Sequence, residues 1–270
     1  MSNFQFDPQT RDFSLVNAYA LARAAKLAYS SPDEIGSTVQ DEWEFDRWMF
    51  FDRDSTQGFI AHKSTFILLS FRGTEPTQLE DWIVDANAGL KPGLGGQVHN
   101  GFYQALMSTW EEVRATLSEY REEDASRPIW ITGHSLGAAL GTLAAAQLLF
   151  EEQQDVQGLY TFGCPRVGDA NFASEFDQRF QAQAFRFVNN NDVVPRVPPS
   201  LRIRPYAHVG TLKYFDADGQ LRETLGWWIR LLDRLRGRID DFGNLGTDGM
   251  NDHSISGYET LVESTLQSGE

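Results

Sequence analysis

At 270 residues the chain is long enough to bury a full core, and the simplest expectation is one domain over 1–270. Composition is that of an ordinary globular protein, but 38 acidic side chains against 23 basic ones leave a net charge of −15. That balance argues against a nucleic-acid partner and against simple electrostatic adsorption to anionic lipid. The single cysteine, Cys164, excludes an intramolecular disulfide and fits a reducing compartment, or secretion without bridges. No signal-peptide pattern opens the chain, and no uninterrupted apolar stretch approaches the ~20 residues that span a bilayer. A cytoplasmic location, with at most peripheral contact with a lipid surface, is the expectation.

Residues 17–29 have helical spacing, with Ala18, Leu21, Ala22, Ala25 and Ala28 on one face. Phe66–Phe71 is a continuous apolar run that fits a strand covered on both faces. Residues 102–120 alternate at helical period, and 129–132 read as the next strand. A helix of small residues over Leu136–Phe150 follows, then strands at Gly158–Phe162 and Ala184–Asn189 with a helix over Ala170–Phe180 between them. Strands separated by helices imply an α/β fold, a mostly parallel central sheet with helices on both faces. In such sheets the site lies at the carboxyl ends of the strands.

One of those ends carries Gly133-His134-Ser135-Leu136-Gly137. The five-residue Gly-x-Ser-x-Gly pattern alone is weak, arising by chance in about one chain of this length in ten. Its setting, a β-branched and aromatic strand before and a helix of small residues behind, is what gives it weight. A strand-to-helix turn strains the backbone and lifts the serine hydroxyl out of the sheet, and the flanking glycines let strand and helix close on each other. The same turn leaves the Leu136 N–H at a helix N-terminus, aimed where an oxyanion would develop.

A serine hydroxyl needs a general base, and the base needs an acid to fix its tautomer. With the order serine, acid, histidine expected on this fold, His208 and His253 remain of five histidines. His253 lies where a loop enters a helix bearing Ile255, Tyr258, Leu261 and Val262, which suits a base. His208, in Pro205-Tyr206-Ala207-His208, reads better as a structural histidine bonded to backbone. Asp192 is the favoured acid, because it follows the strand 185–188 and a turn of three asparagines and precedes apolar Val193-Val194-Pro195. Asp169, Asp177 and Asp216 read as solvated carboxylates in turns or on polar helix faces.

These segments, with Phe71-Arg72-Gly73-Thr74, Asp81-Trp82, Val98-His99-Asn100-Gly101-Phe102 and Thr161-Phe162-Gly163-Cys164-Pro165-Arg166-Val167-Gly168, resemble the class 3 lipases, an α/β-hydrolase family of fungal triacylglycerol lipases with plant and bacterial relatives. The matching segments run from about 17 to 258. The resemblance implies a triad of Ser135, Asp192 and His253, the residues the chemistry selects. It adds Thr74 as a second oxyanion donor beside Leu136. It also implies a lid helix between Thr74 and His99, where Leu79, Trp82, Ile83, Ala86 and Leu90 fall on one helical face that would cover an acyl groove.

Two departures qualify the likeness: no signal peptide or disulfide is visible, and Ala138 stands where a second glycine is common. A basic amphipathic stretch over 224–239, with Leu225, Trp228, Ile229, Leu232 and Leu235 on one face and four arginines around it, reads as packing on the sheet, or as a membrane contact. The expectation is a serine ester hydrolase acting on lipid acyl esters, triacylglycerol or a related glycerolipid, without metal or cofactor. A phospholipase A1-type or small-ester carboxylesterase activity, and a ligand sensor without turnover, are the alternatives.

Overall fold

The structure, a computed structural model, describes residues 3–74, 89–198, 206–223 and 252–269. An alanine-rich helix, α1 (Leu15–Leu27), comes first and is capped by Ser14, whose side chain accepts from the Asn17 N–H. After a short α2 (Pro32–Ser37), β1 (Arg47–Arg53), β2 (Thr56–Lys63) and β3 (Phe66–Phe71) form an antiparallel meander. The chain continues through β4 (Leu90–Gly93), β5 (Gly96–His99), α3 (Asn100–Tyr120), β6 (Ile129–His134), α4 (Leu136–Phe150), β7 (Gly158–Phe162) and β8 (Gly168–Asp169). Then come α5 (Ala170–Phe180), β9 (Ala184–Asn189), β10 (Tyr206–Ala207), β11 (Thr211–Phe215), β12 (Leu221–Arg222) and α6 (Ile255–Ser268).

Among the described residues the main sheet has eight strands in the order β1-β2-β3-β6-β7-β9-β11-β12. Its centre, β3-β6-β7-β9-β11, is parallel throughout, and the strands at both edges are antiparallel. A smaller sheet, β10-β8-β5-β4, lies beside it. The expected mostly parallel sheet is therefore present, flanked by antiparallel strands that periodicity did not reveal. β2 has no run of β-branched residues, and its Gly58 is there for close approach: a Cβ would strike the Ser70 carbonyl and the Phe51 ring.

Alternate residues of each central strand face different cores. Ile67, Leu69, Ile129 and Ile131 pack against α3 and α4. Leu68, Trp130, Tyr160, Phe162 and Phe187 pack against α1 and α6, with Leu21, Tyr258 and Val262. Two polar strand residues on the α1 side are satisfied locally: Ser70 Oγ donates to Ala24 O at 3.0 Å, and Thr132 Oγ1 lies 3.1 Å from Leu21 O and 2.9 Å from Tyr160 O. Helix α4 is apolar nearly all round because it is buried nearly all round, as a helix wedged between sheet and α3 must be. No described helix is long and apolar enough to cross a membrane. The basic stretch 224–239 and the expected lid residues Leu79, Trp82, Ile83 and Ala86 lie outside the described residues, whereas Leu90, expected on the same helical face, opens strand β4 and pairs with His99.

Candidate active site

Ser135 stands alone between β6 and α4, with φ 58° and ψ −127°. That backbone is rare for a residue with a Cβ and costs on the order of 1–3 kcal/mol. It is held by Ser135 N–H donating to Phe162 O at 3.0 Å and by Ser135 O accepting from Ala138 N–H at 3.0 Å. The flanking glycines are required sterically. A Cβ on Gly133 would collide with the Gly137 carbonyl, and one on Gly137 with the Phe71 carbonyl. Strand, turn and helix are therefore locked into one geometry that aims Oγ away from the sheet.

Asp192 follows β9, the second strand over from β6. Its carboxylate is 1% exposed and fully engaged. Oδ1 accepts from Val194 N–H at 2.9 Å, Oδ2 accepts from Tyr258 Oη at 2.5 Å, and His253 Nδ1 lies 3.0 and 2.9 Å from the two oxygens. An ionised carboxylate only accepts, so His253 Nδ1 carries a proton and a neutral ring leaves Nε2 as a bare acceptor. His253 Nε2 and Ser135 Oγ are both buried without a hydrogen-bond partner among the described residues. Buried polar atoms left open in this way need an explanation, and a reaction partner supplies one.

The loop bearing His253 is tied down on several sides. Asn189 Nδ2 donates to Asp252 O at 3.0 Å, and His134 Nε2 lies 2.5 Å from His253 O. Gly163, at φ 59°, passes directly beneath the pair: a Cβ there would come within 2.8 Å of Asp192 Oδ2 and of the His253 ring. Burial, and then the Asp192 charge, push the Tyr258 hydroxyl well above its ordinary range, so it remains a donor to the carboxylate.

Gly73 abuts Ser135, since a Cβ on it would lie 3.1 Å from Ser135 Cβ and against the His134 carbonyl. Thr74, half-buried, is the next residue, just beyond the carboxyl end of β3, where Phe71 pairs with Gly133. Leu136 is the first residue of α4, so its N–H has no acceptor within the helix. Leu79, Trp82 and Ile83 lie outside the described residues.

The other histidines near these elements are occupied. His208 donates from Nε2 to Pro195 O at 2.8 Å, and His99 Nδ1 accepts from Phe102 N–H at the start of α3. Two carboxylates expected to be solvated are not. Asp169 is buried as the cap of α5, accepting from Phe172 N–H at 2.8 Å and Gln97 N–H at 3.1 Å. Asp177 is half-buried and accepts from Gly210 N–H at 2.7 Å, with burial raising its carboxyl. Both serve chain crossings that periodicity cannot show. Sequence reasoning also missed the support given by Tyr258, Gly163 and His134, and by Tyr29, whose Oη lies 2.8 Å from His134 Nδ1. The sequence shows Tyr258 only as a residue on a helix face, and it shows Gly163 only as the glycine after the strand Gly158–Phe162 within a segment that resembles the family.

A family model described as Lipase (class 3) matches residues 68–201. The chain is 29% identical over 255 residues to triacylglycerol lipase OBL1 of Ricinus communis, covering 72% of this chain and 48% of that protein. It is 32% identical over 185 residues to secreted mono- and diacylglycerol lipase 1 of Fusarium solani, covering 67% of this chain and 54% of that one. It thus spans about half the length of the curated relatives it matches. Among solved structures, Rhizomucor miehei triacylglyceride lipase superposes with a TM-score of 0.64 at 27% identity, covering 75% of this chain and 80% of that one. Another, a triacylglycerol lipase whose catalytic centre is described as a serine protease triad, superposes with a TM-score of 0.62 at 25% identity, covering 75% and 80%. The fold is that of an α/β-hydrolase, and the chain belongs to the class 3 lipase family.

Proposed function

We propose that the chain is a single-domain serine ester hydrolase of lipase type, in which Ser135, Asp192 and His253 form the triad and Thr74 and Leu136 hold the oxyanion. The observation that carries this reading is the strained turn at Ser135 beside a buried Asp192–His253 pair, with Ser135 Oγ and His253 Nε2 both left open. His253 Nε2 takes the Ser135 proton as Oγ attacks the ester carbonyl, and Asp192 stabilises the imidazolium. The oxyanion forms against the Leu136 N–H and the Thr74 N–H and hydroxyl. Collapse breaks the ester C–O bond, and His253 returns the proton to the departing alcohol. Water then gives a proton to Nε2 and attacks the acyl-enzyme. The carboxylic acid leaves as the proton returns to Oγ. No step calls for a metal or cofactor.

Lipid acyl esters are the proposed substrates, because the relatives above are described as acting on tri-, di- and monoacylglycerols. The complete burial of Ser135 supports a lid, assigned to Leu79, Trp82 and Ile83, that must open before an ester reaches Oγ. Peripheral contact with a lipid surface and a cytoplasmic location belong to the same proposal. Hydrolysis of nitrophenyl esters from C4 to C16 by wild type and Ser135→Ala is the test. The reading expects turnover that vanishes in the mutant and peaks at medium or long chains. A peak at C4 favours a small-ester esterase. No turnover by folded protein in detergent removes the enzyme reading.

A further inference from the structure

Two buried histidines meet beside the nucleophile. His134 ends β6 one residue before Ser135, and its ring lies 4.4 Å from that of His253, tilted by 33°. Its Nε2 is 2.5 Å from His253 O and its Nδ1 is 2.8 Å from Tyr29 Oη. A carbonyl can only accept, so Nε2 carries the proton and donates. Nδ1 of the neutral ring then accepts from the Tyr29 hydroxyl. Burial, and next the neighbouring His253, hold the His134 imidazole well below its ordinary value, which keeps that single tautomer. Tyr29 is itself held in place, with the Arg72 guanidinium 5.6 Å from its ring centre and Arg72 Nη1 donating to Gln57 Oε1 at 2.6 Å.

We propose that His134 is a positioning residue for His253, with Tyr29 fixing its orientation. The inference rests on the triad proposed above. Asp192 holds the Nδ1 edge of the ring but not the backbone that carries it. The bond from His134 clamps the backbone end of the same residue to the strand that delivers the nucleophile. Base and nucleophile are thereby referred to one rigid element, and the distance between them no longer depends on the loop alone.

The test compares His134→Leu, which loses the donor, with His134→Gln, whose side-chain N–H reaches the same carbonyl, and with Tyr29→Phe. Turnover of nitrophenyl butyrate is expressed per serine titrated by a nitrophenyl phosphonate, so that misfolded protein does not count. His134→Leu is expected to lose ~10²-fold in kcat with KM within about threefold, the scale of a misplaced reacting group. His134→Gln should recover to within about tenfold of wild type and Tyr29→Phe should fall severalfold in kcat alone, both being smaller misplacements on the same scale. His134→Leu at wild-type kcat per titrated site, or His134→Gln as poor as His134→Leu, overturns the positioning role. If His134→Leu yields no folded protein, Tyr29→Phe decides: lowered kcat at unchanged KM supports the role, and unchanged kcat overturns it. Wild type without turnover, or Ser135→Ala retaining it, instead defeats the triad on which the inference stands.

Discussion

The Asp192 carboxylate accepts from Val194 N–H, Tyr258 Oη and His253 Nδ1, and this saturation is what turns a short acidic side chain into a fixed reference point. Any motion of Asp192 breaks several bonds at once, so the imidazole inherits a defined orientation. The proposed oxyanion side rests on position instead: Thr74 lies one residue past Gly73, which abuts Ser135. Thr74→Ala is therefore expected to cost ~10²–10³ in kcat through loss of one donor, measured on a soluble ester. A kcat within a few-fold of wild type would remove the hydroxyl from the mechanism while leaving the N–H. Ser135, Asp192 and His253 were legible as candidates because each had to satisfy a chemical requirement at a recognisable place, a strand end or a loop entering a helix. Tyr258 and Tyr29 were not. Their roles depend on contacts with Asp192 and His134, residues 66 and 105 positions away, which leave no local signature.

Elements announced themselves where burial is complete. Phe66–Phe71 and Gly158–Phe162 have the bounds read from the sequence because every residue in them is buried and nearly all are apolar. Leu136–Phe150 and the half-buried Ala184–Asn189 match as well, the first through its small and apolar residues, the second through an apolar stretch ending at a turn of asparagines. The edge strand β1 is not legible because its mixed exposure blurs the alternation, and β2, though largely buried, is not because Thr56, Gln57, Gly58, His62 and Lys63 leave only a three-residue apolar run. The glycines of the Ser135 turn give a sharper test at this scale. On Gly137 a Cβ meets the Phe71 carbonyl, which belongs to a central strand and cannot yield. On Gly141, one turn later, its tightest contact is Ile131 Cγ2 at 3.3 Å, with Thr132 O and Leu159 Cδ1 at ordinary contact distances. Gly137→Ala should thus lose about 3 kcal/mol or more of stability by urea denaturation, if it folds at all. Gly141→Ala should stay within about 1 kcal/mol of wild type, since alanine's helix propensity offsets the tight contact. Equal losses at the two positions would contradict the picture of β3, β6 and α4 as one interlocked unit.

Across the whole molecule, the acidic surface and the histidine-rich interior respond to pH in separate ways. His134 and His208 are held well below their ordinary value, first by burial and then by His253 or by Arg186 and Arg166. An unfolded chain protonates the same rings near pH ~6.5, so below that pH it binds more protons than the folded one. Stability should be fully present above pH ~6.5 and decline as pH falls below it, towards the depressed folded values. A thermal midpoint that fails to drop between about pH 7.5 and 5.5 would mean that these rings are not kept neutral in the fold. The net charge of −15 gives no hint of this, because it balances all carboxylates against lysines and arginines and takes every histidine as neutral. The central claim, that Ser135 is the atom donor of an acyl-enzyme activated by His253, is tested most directly by mass spectrometry after reaction with a long-chain alkyl phosphonate. The account predicts a single adduct, mapped to Ser135 and matched by complete loss of ester hydrolysis, with labelling absent in Ser135→Ala and strongly slowed in His253→Ala. Labelling at another residue, or hydrolysis that persists once Ser135 is modified, would contradict it.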